Sequence, residues 1–213
     1  GFESRTEYHT LGGDSMKYAI LVALPEELKG VDNVFYTGVG KVNATMTACN
    51  VINDLQPDMI INYGTAGTVN NKHEGLVQVD TILQRDMMTE PQAPRGVTPF
   101  EKEETAGAIM LGTNTDVTLG SGDSFVQESD DWFKYANIDI VDMEAYGIAK
   151  VSARKKIKFL CYKWVSDFAD ENAMDNWTEN IYDFQSGDKL SFIGINMNCH
   201  ATECPLVTSG AEH

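Results

Sequence analysis

The sequence predicts an α/β fold, a single-domain α/β/α sandwich around a mixed, mostly parallel central sheet. Short apolar runs rich in branched side chains recur along the chain, and such runs are typical of buried strands. Segments with helical periodicity stand between several of these runs, and this alternation favours a sheet that helices cover on both faces. Polar or glycine-rich motifs follow the runs, where ligand sites of parallel sheets gather. The length of 213 residues suits one domain.

The first half of the chain contains four predicted strands, at residues 18–23, 34–37, 59–61 and 77–83. Residues 41–55 place their apolar side chains on one helical face, which predicts a helix. Pro25 suits the first turn of a short helix after the first strand. The glycine-containing segments 38–40 and 64–67 are predicted to be loops at strand ends.

The second half contains four more predicted strands, at residues 108–111, 117–119, 138–141 and 159–165. Helices are predicted at residues 145–153 and from residue 177 to 184. Residues 87–104 hold three prolines and Gly96, which predicts a loop. The length of this loop makes it a candidate cover for a site, although ordinary packing against a neighbouring subunit explains it equally well.

Composition and charge restrict the classes of partner. The formal net charge is −16 at pH 7, whereas nucleic-acid binding requires a basic surface and anionic membranes repel an acidic protein. No run approaches the ~18 consecutive apolar residues of a membrane span. We therefore expect a small-molecule partner rather than nucleic acid or a membrane.

The ends of the chain differ from its centre. Residues 1–15 are polar and lack an apolar signal core, so they are interpreted as a leader or a cloning remnant. Residues 16–195 form the predicted domain, and residues 196–213 form a tail for which disorder is one interpretation.

The four cysteines indicate a reducing compartment. Cys49 and Cys161 lie inside apolar runs, where a free thiol behaves as a small hydrophobe. Cys199 and Cys204 lie near the C-terminus, with too few neighbouring ligands for a metal site. No disulfide framework is implied, which favours a cytoplasmic location. Neither a metal nor a cofactor is predicted.

Three carboxylates stand just beyond predicted strand ends: Glu27, Glu144 and Asp167. Each alone is explained as the cap of a following helix. Together on one rim of the sheet they favour cleavage of a sugar–base bond, in which one acid protonates the leaving group and another carboxylate orients water. None of the four histidines lies in a motif, which argues against serine–histidine or cysteine–histidine catalysis.

The motifs, in their order along the chain, resemble the purine nucleoside phosphorylase/nucleosidase superfamily, with the 5′-methylthioadenosine/S-adenosylhomocysteine nucleosidases as the most similar branch. The resemblance extends from about residue 16 to residue 184. It is carried by Ala-Leu-Pro-Glu-Glu at 23–27, Gly-Val-Gly-Lys-Val at 38–42, Asn-Tyr-Gly-Thr-Ala-Gly at 62–67, Gly-Ser-Gly-Asp-Ser-Phe at 120–125, Val-Asp-Met-Glu-Ala at 141–145 and Val-Ser-Asp at 165–167.

This resemblance implies a role for each matching catalytic or sugar-binding position. Asp167 matches the general acid that protonates N7 of adenine, and Ser166 would help to orient it. Glu27 matches the carboxylate that positions and activates water. Glu144 matches the residue that holds the ribose hydroxyls, and Met143 would pack near the sugar.

The resemblance also implies a binding surface and an oligomeric state. Thr65 and Gly67 match positions that line the sugar and water region, Phe125 would stack on the base, and the backbone of Val126 would contact its Watson–Crick edge. Members of the superfamily commonly assemble with a neighbour closing the pocket, which implies a homodimer.

Two absent cations favour water over phosphate as the nucleophile. Phosphorylases of the superfamily carry an arginine where this chain has Asn62, and another on the first loop, where this chain has Pro25-Glu26-Glu27. A phosphate dianion requires such cations. The predicted function is hydrolysis of an adenine nucleoside in purine salvage. A phosphate-dependent phosphorylase remains an alternative, as does a nucleoside-binding module with lost catalysis, because the segment from Glu27 to Val34 is shorter than in typical members.

Overall fold

The computed structural model describes residues 16–102, 104–126 and 130–168, and it describes side chains as far as residue 165. A mixed sheet of nine strands forms the centre of this part of the chain. The strands are β1 (Tyr18–Val22), β2 (Val34–Tyr36), β3 (Met59–Thr68), β4 (Gly75–Gln78), β5 (Thr81–Gln84), β6 (Ile109–Met110), β7 (Thr118–Ser121), β8 (Ile140–Asp142) and β9 (Lys158–Phe168). Their order is β2-β1-β3-β8-β7-β5-β6, and β9 pairs with β3 and β4.

Parallel pairs outnumber antiparallel pairs in this sheet, which confirms the predicted fold class. The parallel pairs are β1 with β2, β1 with β3, β3 with β9, β5 with β7, and β7 with β8. The antiparallel pairs are β3 with β8, β4 with β9, and β5 with β6. Strand β3 is central because β1 and β9 flank its first half and β8 pairs with its last two residues.

Three α-helices flank the sheet in the described ranges: α1 (Lys41–Leu55), α2 (Asp131–Tyr135) and α3 (Ala145–Lys155). Helix α1 has the predicted bounds, whereas the short α2 was not predicted from periodicity. Helices α1 and α3 pack closely, because a Cβ on Gly147 of α3 would lie 2.8 Å from the Lys41 carbonyl oxygen and 2.5 Å from Thr45 Oγ1. This contact places the starts of the two helices side by side near the carboxyl ends of β1, β3 and β8.

Several predicted boundaries were wrong, and tertiary pairing explains them. Strand β3 continues through residues 64–67, which were predicted to be a loop, because β9 pairs with this strand as far as Thr68. The predicted strand 77–83 is two strands, β4 and β5. The break lies at Asp80, whose carboxylate accepts hydrogen bonds from the Thr113 and Asn114 N–H groups. The segment after Pro25 is a turn rather than the start of a helix.

The predicted loop 87–104 is irregular, apart from a 3₁₀ turn at Glu104–Ala106 that begins at its end. Two ion pairs attach it to helices. Arg95 binds Asp130 at the start of α2 and lies 4.4 Å from the Trp132 ring centroid. Glu101 accepts hydrogen bonds from Lys150 Nζ and an Arg154 guanidinium nitrogen of α3. These contacts hold the loop against two helices of the same chain.

Some predictions fall on other parts of the chain. The leader 1–15, the helix from residue 177 and the tail 196–213 lie outside the described residues. Within the described residues, no helix is long and apolar enough to cross a membrane.

Candidate active site

A cavity of about 340 Å³ lies at the carboxyl ends of β1, β3, β7 and β8. Its volume and largely apolar lining are typical of small-molecule sites. Seven predicted site residues line it: Glu27, Thr65, Gly67, Phe125, Val126, Met143 and Glu144. The other lining residues are Ala23, Leu24, Val39, Ala66, Arg85, Ser124, Val141 and Asp142.

Glu27 is a buried carboxylate, with only 4% of the residue exposed, and it is held by hydrogen bonds from Leu24 and Thr65. Its Oε1 accepts hydrogen bonds from Thr65 N at 2.9 Å and Thr65 Oγ1 at 2.8 Å. Its Oε2 accepts one from Leu24 N at 3.1 Å. Gly64 permits this approach, because a Cβ at that position would lie 3.2 Å from Oε1. The carboxylate is therefore fixed against β3 rather than capping a helix.

Glu144 is a second buried carboxylate of the cavity, 8% exposed. Although it precedes α3, its side chain makes no cap, and its Oε1 accepts a hydrogen bond from Gly40 N at 2.9 Å. Burial, followed by the nearby Asp142 carboxylate, raises the pKa of Glu144 to about 7, while the Lys163 charge and the Gly40 N–H oppose the rise. Burial thus favours the neutral form of Glu144 more than it is favoured in an exposed glutamate.

The N–H groups at the end of the glycine segment 38–40 bind carboxylates of the protein itself. Gly40 N donates to Glu144, and the following Lys41 N donates to Asp123 Oδ1 at 2.8 Å. Lys41 Nζ also pairs with Asp86. These N–H groups serve to hold carboxylates of the site and its neighbouring loop.

An ion pair lies beneath Glu144, between Lys163 of β9 and Asp142 of β8. Lys163 is 1% exposed, and its Nζ lies 2.8 Å from Asp142 Oδ2. Asp142 also accepts hydrogen bonds from Ala145 N at 2.9 Å and from the Ser121 hydroxyl. Burial favours the neutral amine, but the nearby acidic groups, of which Asp142 has the largest effect, outweigh it and raise the pKa of Lys163. The lysine is thus held as a cation in the core.

The backbone of β9 carries Ser166 and Asp167 to the same end of the sheet. Ala66 pairs with Val165, whereas the next residue of β3, Gly67, pairs with Asp167. Ser166 is therefore the extra residue of a β-bulge, a feature that commonly occurs beside active sites. The backbone of Asp167 is paired with a residue of the cavity lining, and the side chains of Ser166 and Asp167 lie outside the described residues.

Ser124, Phe125 and Val126, in the loop 122–126, form one wall of the cavity. Phe125 is 42% exposed and Val126 is buried. The guanidinium group of Arg85 binds this loop through Gly122 and Ser124. Sequence reasoning missed Arg85, and the available signal was a cation directly after an apolar strand. It also missed Lys163, although a lysine within a buried strand pattern is such a signal.

Comparison with known proteins identifies the family. Residues 26–189 match the family model described as the phosphorylase superfamily. The chain belongs to this superfamily. The resemblance seen in the sequence motifs is thereby confirmed, and the match includes all the lining residues of the cavity except Ala23 and Leu24.

A relative agrees with this membership, and solved structures share the fold. A 5′-methylthioadenosine/S-adenosylhomocysteine nucleosidase of Buchnera aphidicola subsp. Schizaphis graminum is 30% identical, with 68% of this chain and 70% of the relative aligned. The Helicobacter pylori nucleosidase, in a mutant form with 5′-methylthioadenosine in its active site, superposes with a TM-score of 0.69 at 21% identity. That match covers 79% of this chain and 93% of the other.

A second solved structure, a futalosine hydrolase of Helicobacter pylori, superposes with a TM-score of 0.67. It is 21% identical, and the match covers 79% of this chain and 91% of the other. These two structural matches support the α/β fold of the chain.

Proposed function

We propose that this protein is a purine nucleosidase that hydrolyses the N-glycosidic bond of an adenine nucleoside such as 5′-methylthioadenosine or S-adenosylhomocysteine. The observation that carries the proposal is the pair of buried carboxylates, Glu27 and Glu144, on one cavity of suitable size. The aromatic side chain of Phe125 lines the same cavity, as a base-binding site requires. The Buchnera relative, named a nucleosidase, supports the same chemistry.

In the proposed reaction, water replaces adenine at the anomeric carbon. Asp167 holds a proton and gives it to N7 of the leaving base as the carbon–nitrogen bond breaks. Glu27 takes a proton from the water that forms the new carbon–oxygen bond. The products are adenine and the 5′-substituted ribose. The three hydrogen bonds to Glu27 support this assignment because they fix a carboxylate beside the cavity.

Sugar and base binding are assigned to the remaining predicted residues. Glu144 accepts hydrogen bonds from the ribose hydroxyls, and Met143 packs beside the sugar. Thr65 and Gly67 lie in the sugar and water region of the proposal, next to Glu27. Phe125 stacks on the base and Val126 contacts its edge, while Ser166 orients Asp167.

Water is the proposed nucleophile because the described lining holds no uncommitted cation. Arg85 is the one cationic side chain of that lining, and its guanidinium binds Ser124 Oγ and the Gly122 and Ser124 carbonyl oxygens. Asn62, at the position of a phosphorylase arginine, donates its amide N–H to the Leu21 carbonyl oxygen at 3.0 Å. A phosphate dianion would lack the positive charge that it requires.

The proposal is tested by incubating the protein with 5′-methylthioadenosine and separating the products by chromatography. We expect free adenine at the same rate in phosphate-free and phosphate-containing buffer, with no sugar phosphate. Release that requires phosphate and yields a ribose 1-phosphate would instead identify a phosphorylase. Nucleoside binding by calorimetry without base release at high protein concentration would identify a binding module and contradict the proposal.

A homodimer is proposed from an exposed apolar surface beside the cavity. Val39, Val42 and Met46 are exposed at the start of α1, and Val42 lies four residues before Met46 on one helix face. Val39 and Val42 line a groove of about 270 Å³, and Met143 is common to this groove and the main cavity. A second copy seated on this surface would bury it and close the edge of the site.

Met46→Lys is expected to convert a dimer into a monomer, because the dimer would bury an unpaired charge. Sedimentation equilibrium measures the change, and Met110→Lys serves as the control because Met110 is also exposed but lies on β6. A monomeric unsubstituted protein, or an unchanged mass for Met46→Lys, would contradict this interface.

The proposed cellular setting is the cytoplasm, with a role in purine salvage. Cys49 and Cys161, the cysteines within the described residues, are both free thiols, which suits a reducing compartment. Release of a free purine base supplies the substrate class that salvage enzymes use. Cell fractionation with an antibody against the protein tests the location.

A further inference from the structure

We propose that Arg85 is a positioning residue for nucleoside binding, which acts by fixing the loop 122–126 that forms the base side of the cavity. This inference rests on the proposed function, because it assigns the base to Phe125 and Val126. Arg85 is not among the motif residues of the sequence. It follows β5 directly and is 5% exposed, yet it lines the cavity.

The guanidinium group of Arg85 makes three contacts with the loop. Its Nη2 donates to the Gly122 carbonyl oxygen at 2.8 Å and also to the Ser124 carbonyl oxygen. Nη1 donates to Ser124 Oγ at 3.1 Å. Charge-assisted hydrogen bonds of this kind are stronger than those between neutral groups. Arg85 therefore holds both ends of the turn that immediately precedes Phe125.

The loop is shaped around this side chain. A Cβ on Gly122 would lie 2.8 Å from Arg85 Cζ and 2.9 Å from Cγ, so only glycine leaves room for the guanidinium group. The Arg85 backbone is fixed as well, since its N–H donates to the Ser121 carbonyl oxygen and its carbonyl oxygen accepts from Arg95 Nε, each at 2.9 Å. Arg85 thus fixes the loop at a defined position relative to β5.

The next residue along the chain holds the same loop from another side. Asp86 Oδ2 accepts a hydrogen bond from Asp123 N at 2.9 Å, and Asp123 Oδ1 accepts one from Lys41 N. With Asp123 held in this way, removal of the Arg85 contacts is expected to release Ser124 and Phe125 rather than to unfold the whole loop. Phe125 would then sample several positions, and an aromatic side chain that is not pre-positioned binds a base less tightly.

Among the residues that the structure describes, the buried Nε of Arg85 has no hydrogen-bond partner. A buried donor of this kind is costly unless something satisfies it. Arg85 is therefore not explained as an ordinary satisfied core residue. The free-energy cost of the unpaired Nε is consistent with a functional role for Arg85, namely holding the wall of a binding site.

The experiment compares Arg85→Lys and Arg85→Met with the unsubstituted protein. Lysine keeps the charge but can donate to fewer of the loop oxygens, whereas methionine keeps the bulk and loses all three contacts. Two quantities are measured: KM and kcat for adenine release, and amide hydrogen exchange of residues 122–126 in the ligand-free protein. Arg154→Met is the control, because Arg154 binds Glu101 and does not line the cavity.

We expect Arg85→Met to raise KM about 10-fold or more, as for loss of charge-assisted hydrogen bonds, with a much smaller change in kcat. Exchange of the 122–126 amides should be faster in Arg85→Met, intermediate in Arg85→Lys and unchanged in Arg154→Met.

Two results would overturn the proposal: unchanged exchange of these amides in folded Arg85→Lys, or faster exchange with no rise in KM. If Arg85→Met does not fold, as circular dichroism would reveal, Arg85→Lys alone decides between these outcomes. Failure of the proposed function is distinguishable, because the exchange measurement requires no catalysis. Absence of base release by the unsubstituted protein would refute the function while the loop contact remained measurable.

Discussion

Glu27→Gln and Asp167→Asn are each expected to lower the rate of adenine release about 10²–10⁴-fold, the usual contribution of a positioned acid or base. The structural reason is clearest for Glu27, whose Oε1 accepts hydrogen bonds from Thr65 and whose Oε2 accepts one from Leu24. A glutamine amide has one acceptor oxygen, so its NH₂ group would face an N–H donor. The variant loses the negative charge as well as the geometry that orients water.

The two variants are distinguished by the leaving group. With a p-nitrophenyl riboside the departing phenolate needs no proton, so Asp167→Asn should regain most of its lost rate. Glu27→Gln should not regain its rate, because attack by water is still required. Glu26→Gln is the matched control, since Glu26 is adjacent in sequence and does not line the cavity. Equal losses of both variants on both substrates would contradict the separate roles.

Helix α1 shows what the sequence alone can predict. Its bounds follow from apolar residues repeated on one helical face, a pattern that local spacing contains. Strand β3 shows the opposite case. Its residues 64–67 contain two glycines and resemble a loop, but pairing with β9 keeps them extended through Thr68. That pairing joins positions about a hundred residues apart, so no local pattern contains it.

The carboxylates of the candidate site were predicted because acids at strand ends are visible in the sequence. The groups that donate hydrogen bonds to them were not predicted. Glu27 was expected beside the cavity, but its bonds to Thr65 N and Oγ1 require the folded β3. Glu144 was also a predicted site residue, yet its contact with Gly40 N spans 104 positions of sequence. The sequence therefore indicates which chemical groups are available, and only the fold determines which of them meet.

Lys163→Met is expected to lower the free energy of unfolding by about 3–5 kcal/mol, the usual effect of removing one partner of a buried ion pair. Lys163 Nζ lies 2.8 Å from Asp142 Oδ2, and side chains of both residues are almost fully buried. Methionine fills similar space but leaves the Asp142 charge without its counter-ion in the core. Such a loss is a large share of the ~5–15 kcal/mol that stabilises a typical domain.

Urea unfolding followed by circular dichroism measures this loss, and two further variants isolate its cause. Lys150→Met makes the same chemical change in the more exposed pair with Glu101, where a loss of at most ~1 kcal/mol is expected. Lys163→Met combined with Asp142→Asn should be more stable than Lys163→Met alone, because the unpaired charge is removed. A double variant no more stable than the single one would mean that packing by the lysine, rather than charge pairing beneath Glu144, stabilises this part of the site.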